Sequence, residues 1–327
     1  MSDASLAPNR DEIRAASHLI SSRIRRTPAL FSEGGELGLT SPVSLKLELL
    51  QHAGSFKTRG AFTTLLTETI PQAGVAAASG GNHGVAVAYA ARTLGLSARI
   101  FVPEISSPAK VLAIKAHGAD VRIGGARYAD AQEACDTYVA ETGALRVHPF
   151  DADLTIRGQA TLGLEWDEQT RDASGFGLDT ILVACGGGGL VAGIASYFKG
   201  TSTRVFAVEP RGSCALNAAL AAGGPVDVPV ESVAADSLGA RNVGARVYAI
   251  AKQLLAGVIL VDDDAIVAAQ RRLFSDLRIA SEPGGAAATA ALLSRAYVPA
   301  RDERVGVLLC GGNVDLAKLA AAVSAAP

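Results

Sequence analysis

The run 181–198, ILVACGGGGLVAGIASYF, carries no charge and has four consecutive glycines at its middle. Its length just reaches that of a membrane span. Glycine is a poor helix former, so four in a row exclude one continuous helix. What remains is an apolar strand, a glycine loop and the start of a helix. A strand that is apolar on both faces belongs in a sheet covered on both sides.

The rest of the chain repeats that grammar. Short β-rich runs at 43–50, 74–79, 98–103, 119–124, 180–185, 204–209, 257–261 and 304–310 alternate with helix-length segments such as SPAKVLAIKAHG and DDDAIVAAQRRLFSDLRIA. Alternation of this kind predicts an α/β fold with parallel sheets wrapped in helices. With 327 residues, 49% of them hydrophobic, there is chain enough for about two domains. Residues 75–148 suit a compact βαβ lobe of their own. A formal net charge of −2 argues against nucleic acid or an anionic membrane as partner. The N-terminus MSDASLAPNRDEIR lacks the apolar core of a secretory signal, and the four cysteines show no CxxC spacing. The expectation is a cytoplasmic protein with neither a disulfide framework nor a zinc site.

Parallel α/β sheets place ligands at the carboxyl ends of their strands. Four glycine loops fall there: SGGNHG at 79–84, CGGGGL at 185–190, SEPGGAA at 281–287 and CGGN at 310–313. Glycine lets backbone N–H groups converge on a ligand, and a helix N-terminus adds its dipole, which suits phosphate or carboxylate. The bland alternative is that these glycines only permit tight turns. A dinucleotide site is also open, because Gly187, Gly189 and Ala192 fit GxGxxA and Glu209 ends the next strand. That reading leaves GSFKTRGA at 54–61 unexplained, where Lys57 stands between Phe56 and Thr58. Two anion cradles and a reactive lysine point to a phosphate-bearing aldehyde cofactor, pyridoxal phosphate, which a lysine amine holds as a Schiff base. Phe56 would then wall one side of the cofactor ring, with Gly54 and Gly60 allowing close approach.

The ordered set SFKTRGA, SGGNHG, CGGGGL, EPGGA and CGGN, from about residue 20 to the end, resembles the serine/threonine dehydratase group of fold-type II pyridoxal-phosphate enzymes. This group includes threonine ammonia-lyases and serine racemases. The resemblance implies two parallel-sheet αβα domains of the tryptophan synthase beta-like type: a large domain over 1–52 and 149–327, and a small one over 53–148. It implies that Lys57 carries the cofactor and serves as general base, that Phe56 packs beside the ring, and that Asn82 hydrogen-bonds the ring's 3-hydroxyl oxygen. Gly186, Gly187, Gly188 and Gly189, with the Leu190 amide, would bind the phosphate. Cys310 would face the pyridine nitrogen, where a thiol cannot hold a proton on the ring as a carboxylate would. Ser79, with backbone groups around Gly81 to His83, resembles the substrate-carboxylate site, and Gly239 lies in what resembles the substrate loop.

The implied activity is release of ammonia from small β-hydroxy amino acids, L-threonine to 2-oxobutyrate or L-serine to pyruvate. Alternatives within the group are a threo-3-hydroxyaspartate dehydratase and a serine racemase. Racemase members carry a serine where this chain has Gly80, so racemisation is expected to be poor. Some relatives bind a divalent cation through a glutamate, matched by Glu209, and an aspartate six residues later, where Ala215 stands. A metal at Glu209 and the Ser213 region is a candidate. Sulfhydrylases and threonine synthases typically have aspartate after the lysine, in place of Thr58. No segment after residue 327 matches the regulatory tail of biosynthetic threonine dehydratases, so a catabolic-type enzyme is expected. The group's habit implies a homodimer or larger homo-oligomer. Outside the class stand a nicotinamide-dependent dehydrogenase and a non-catalytic binding protein.

Overall fold

The computed structural model describes residues 6–32, 36–39 and 41–324. Ten strands appear in chain order: β1 Ala29–Ser32, β2 Val43–Lys46, β3 Val75–Ala78, β4 Ala98–Val102, β5 Asp120–Ile123, β6 Leu145–Arg146, β7 Thr180–Ala184, β8 Arg204–Pro210, β9 Gly257–Val261 and β10 Val305–Leu308. They form a six-stranded sheet, ordered β1-β2-β10-β7-β8-β9, and a four-stranded sheet, ordered β5-β4-β3-β6. The expected parallel α/β architecture is present, with one correction. β1 pairs antiparallel with β2, its successor in the chain, while the other pairs of both sheets are parallel.

β1 and β6 lie outside the expected strands, and β6 is only two residues long, too short to form an apolar run. The expected strand over 43–50 stops at Lys46, and Glu48–Leu50 turns as a 3-10 helix. In the large sheet, β7 and β10 are buried along their whole length. Trp166, on the long helix Asp153–Ser174, packs so close to β10 that a Cβ on Gly306 would lie 2.8 Å from its ring. In the small sheet, β5 is an edge strand whose Asp120 pairs with Arg122 on the same strand and with Arg99 of β4. Charge of this kind discourages strand addition at an edge.

The parallel order places the carboxyl ends of β2, β10, β7 and β8 side by side. The chain leaving β2 reaches Lys57, that leaving β10 reaches Cys310, and that leaving β7 enters the glycine loop 186–189. Helix Lys57–Thr67 then packs on helix Asp153–Ser174 at glycine contacts, where a Cβ on Gly158 would lie 2.6 Å from Gly60 Cα.

Four charges are sealed into that junction. Arg59 donates to both Glu48 oxygens, at 2.7 and 3.0 Å, and to Glu165 Oε2 at 2.9 Å. Lys46 Nζ lies 2.5 Å from Glu165 Oε1 and also donates to the Thr27 carbonyl and Gln169 Oε1. Arg59, Lys46 and Glu48 are at most 1% exposed. Two cations and two carboxylates balance, and Thr27 and Gln51 satisfy further lone pairs on the acids. Arg59, read only as part of a cofactor motif, is thus a structural cation.

Removing one member of a buried ion pair leaves a charge that water cannot reach. Glu165→Ala is expected to cost about 3–5 kcal/mol, read as a lower denaturant midpoint, with Glu165→Gln costing less.

Candidate active site

Lys57 opens its helix directly after a loop that must fold tightly. Ala53 and Gly54 both have positive φ (59° and 69°), and a Cβ on Gly54 would strike the Asn313 side chain. Ser55 then forms an antiparallel bridge to Gly311, and Phe56 N donates to the Cys310 carbonyl at 3.2 Å. The Lys57 loop and the Cys310 loop are therefore stitched together by backbone. Gly54 and Gly60 serve packing, against Asn313 and against helix Asp153–Ser174. This corrects the expectation that they clear an approach for a ligand.

Lys57 is half-buried; its amine donates to the Pro149 carbonyl at 2.7 Å and lies 5.0 Å from the Phe56 ring centroid. Burial lowers its pKa to about 8, against the opposing pull of Cys310 and Glu282. Cys310 is buried, with its sulfur 3.7 Å from the Gly284 carbonyl, and burial followed by the charge of Glu282 pushes the thiol up to about 12. It is a neutral thiol at physiological pH.

Asn82 begins helix Asn82–Thr93 at the end of β3. Its Nδ2 donates to Glu282 Oε1 at 2.5 Å, and its Oδ1 accepts from Asn313 Nδ2 at 2.9 Å. Ser79 Oγ accepts from Gly81 N at 3.2 Å. The His83 ring turns away to the Val147 carbonyl, with its pKa lowered to about 3 by burial and then by the Lys57 charge. The His83 backbone N–H, in the first turn of its helix, is one of the donors a helix start leaves unpaired. The space a side chain on Gly80 would need is held by Ser106, whose Cβ lies 2.6 Å from the place of a Gly80 Cβ.

The tetraglycine loop is enclosed on several sides. A Cβ on Gly186 would come 2.8 Å from Leu238 Cα, one on Gly187 would strike the Phe150 ring, and one on Gly189 would lie 2.6 Å from the Phe150 carbonyl oxygen. Gly188 has φ +81°, with Val247 2.5 Å from its Cβ position. Each glycine has its own steric reason, and the loop ends in the unpaired N–H groups that open helix Gly189–Phe198. Gly239 closes the short helix Ala235–Leu238, whose last residue lies against Gly186.

Glu209 goes elsewhere. It is fully buried, and its oxygens accept from Leu216 N (2.9 Å) and Asn217 N (2.8 Å), with burial raising its pKa to about 7. It caps helix Ala215–Ala222. With both oxygens so engaged it is turned away from any ribose, and the dinucleotide reading of Gly187, Gly189 and Ala192 finds no support here. Among the described residues no three His, Cys, Asp or Glu side chains converge as metal ligands.

Several site residues were missed. Pro149 and Phe150 follow the two-residue strand β6, too short to signal. Glu282 and Asn313 stand inside glycine motifs, where the glycines are the stronger sequence signal. Lys110 gave no local sign at all.

A lysine amine near neutrality, two helix starts without side chains in the way, a neutral thiol and a held amide fit pyridoxal phosphate. The family model described as pyridoxal-phosphate dependent enzyme matches residues 20–311. Phenylserine dehydratase of Ralstonia pickettii is 38% identical over 325 residues, 97% of each chain. L-threonine ammonia-lyase of Geobacter sulfurreducens is 36% identical over 95% of this chain and 77% of its own. Among solved structures, maize serine racemase superposes with a TM-score of 0.88, at 34% identity and 96% coverage of both chains.

The deprotonated amine is the nucleophile toward an aldehyde, and it dominates above its pKa. Borohydride trapping of pyridoxal phosphate on Lys57, read by peptide mass, is expected to quicken through pH about 8; a midpoint near the ordinary 10.5 would contradict the site's burial. Gly189→Ala is expected to cost about 1–3 kcal/mol by overpacking against Phe150 and to weaken cofactor retention, measured by thermal melts and equilibrium dialysis.

Proposed function

The chain belongs to the pyridoxal-phosphate dependent enzyme family, and from that premise we propose that it is an ammonia-lyase for β-hydroxy amino acids. The observation that carries this reading is the Lys57 amine. It is held on a backbone carbonyl over the Phe56 ring, with a neutral thiol in place of a carboxylate nearby. When bound, the cofactor supplies an electron sink for the charge that develops at the substrate Cα.

In this reading Lys57 holds the cofactor and, once released, takes the Cα proton, a task suited to an amine titrating near 8. Gly186 to Gly189 and the Leu190 amide hold the phosphate, Phe56 packs beside the ring, and Asn82 donates to the ring oxygen. The Cys310 thiol offers the pyridine nitrogen only a weak hydrogen bond, which disfavours drawing charge deep into the ring and so favours prompt loss of the β-hydroxyl. Ser79 and the N–H groups from Gly81 to His83 orient the substrate carboxylate, with Gly239 at the mouth. Gly80, which lacks the hydroxyl that racemase members carry at this position, supports elimination over racemisation. A homo-oligomer in a reducing, cytoplasmic setting completes the proposal. Cys135, Cys185, Cys214 and Cys310 are free thiols, and among the described residues no helix is long and apolar enough to cross a membrane.

Purified protein with added pyridoxal phosphate should show a visible band and release a 2-oxo acid from L-threonine, L-serine, phenylserine or threo-3-hydroxyaspartate. Lys57→Ala should lower that rate at least about a thousandfold, as loss of a general base does. A protein that stays colourless sinks the proposal.

A further inference from the structure

Three charged side chains meet beside Asn82, and the chemistry above uses none of them. Glu282 is the residue before helix Pro283–Leu293, Lys110 is in the first turn of helix Pro108–Ala116, and Asp236 is in the short helix Ala235–Leu238. Glu282 and Lys110 are 2% and 5% exposed, whereas the Asp236 side chain is 57% exposed. Lys110 Nζ lies 2.6 Å from Asp236 Oδ2 and 3.5 Å from Glu282 Oε2. The other Glu282 oxygen takes Asn82 Nδ2, while Asn82 Oδ1 is claimed by Asn313, whose amide also reaches the Ala53 carbonyl.

A buried carboxylate is expensive, and a purely structural tie between the two sheets could be made by apolar contact at lower cost. Two observations point past a tie. The side-chain amide of Asn82 is pinned at both ends, so its nitrogen has one orientation and one hydrogen to spare. And the backbone makes room for the carboxylate: a Cβ on Gly311 would strike Glu282 Oε1.

We propose that Glu282, ion-paired with Lys110, is the positioning residue that aims the Asn82 amide and supplies negative charge to the Lys57 site. The proposal rests on the cofactor reading above. The groups around Glu282 are Lys110, Asn82, Asp236, Lys57 and the Cys310 thiol. Burial pushes the Glu282 carboxyl up and Lys110 is the largest influence pulling it back, so loss of Lys110 favours the protonated form, in which the residue resembles a glutamine. Lys110 and Glu282 then act as one unit. Asp236, exposed and on the same cation, clips its segment beside Gly81, its backbone oxygen 3.2 Å from the place of a Gly81 Cβ.

The test is a double-mutant cycle on the holoenzyme with Glu282→Gln, Lys110→Met and the pair together. The readouts are the pH titration of the visible band and the dissociation constant of pyridoxal phosphate. Loss of the negative charge lets the lysine-bound nitrogen lose its proton more easily, so each single variant should lower the midpoint of the band by about one pH unit. Each should also weaken cofactor binding about tenfold, the scale of a lost hydrogen bond to a charged group. The pair should do no more than either alone. Additive effects, or a Glu282→Gln protein whose band and affinity match the wild type, overturn the proposal. If a single variant does not fold, the pair leaves no unpaired buried charge between these two positions, and an unshifted band there overturns it equally. A wild type that takes up no cofactor overturns the family reading first, and is recognised before any variant is made.

Discussion

Two residues beyond Lys57, the Arg59 guanidinium is locked between Glu48 and Glu165, and the position of the candidate site depends on that lock. The carboxylates come from the segment after β2 and from helix Asp153–Ser174, so a single side chain binds the Lys57 helix to both. Apolar side chains could fill the same volume at less cost in desolvation. They would not fix direction, as a bidentate guanidinium does. With the helix held in rotation and register, the Lys57 side chain starts from a fixed point, and its amine reaches the Pro149 carbonyl and the face of Phe56.

From that anchor the rest follows by topology. β10 lies between β2 and β7, all three parallel, so the loops that leave them open on one edge of the sheet. Those loops carry the amine, the thiol and the tetraglycine turn. The small sheet contributes from its own carboxyl edge: Ser79 to His83 after β3, and Pro149 and Phe150 after β6. The cleft is assembled from two sheets, and its electrostatics follow from depth. Burial brings the lysine toward neutrality and holds the thiol protonated. Two helix starts remain as the source of positive potential for an anion.

The glycines show how one local signal can have several physical causes. Gly186 to Gly189 are hemmed in by Leu238, Phe150 and Val247, so the turn reading and the cradle reading describe the same atoms. Gly60 looks the same in the sequence and is a helix-packing residue. Glu209 matched two ligand patterns, metal and ribose, and both of its oxygens are bonded to helix N–H groups.

The sequence by itself determined what depends on neighbours along the chain. Apolar runs bounded by glycine specify strands that end in loops, their alternation with amphipathic segments specifies parallel pairing, and a lysine among these loops specifies the class of chemistry. Only the tertiary structure decided what depends on residues far apart. Arg59 meets Glu165 across 106 positions, and Lys110 meets Glu282 across 172. A buried charge is tolerated only where its partner arrives in space, and no local pattern records that arrival.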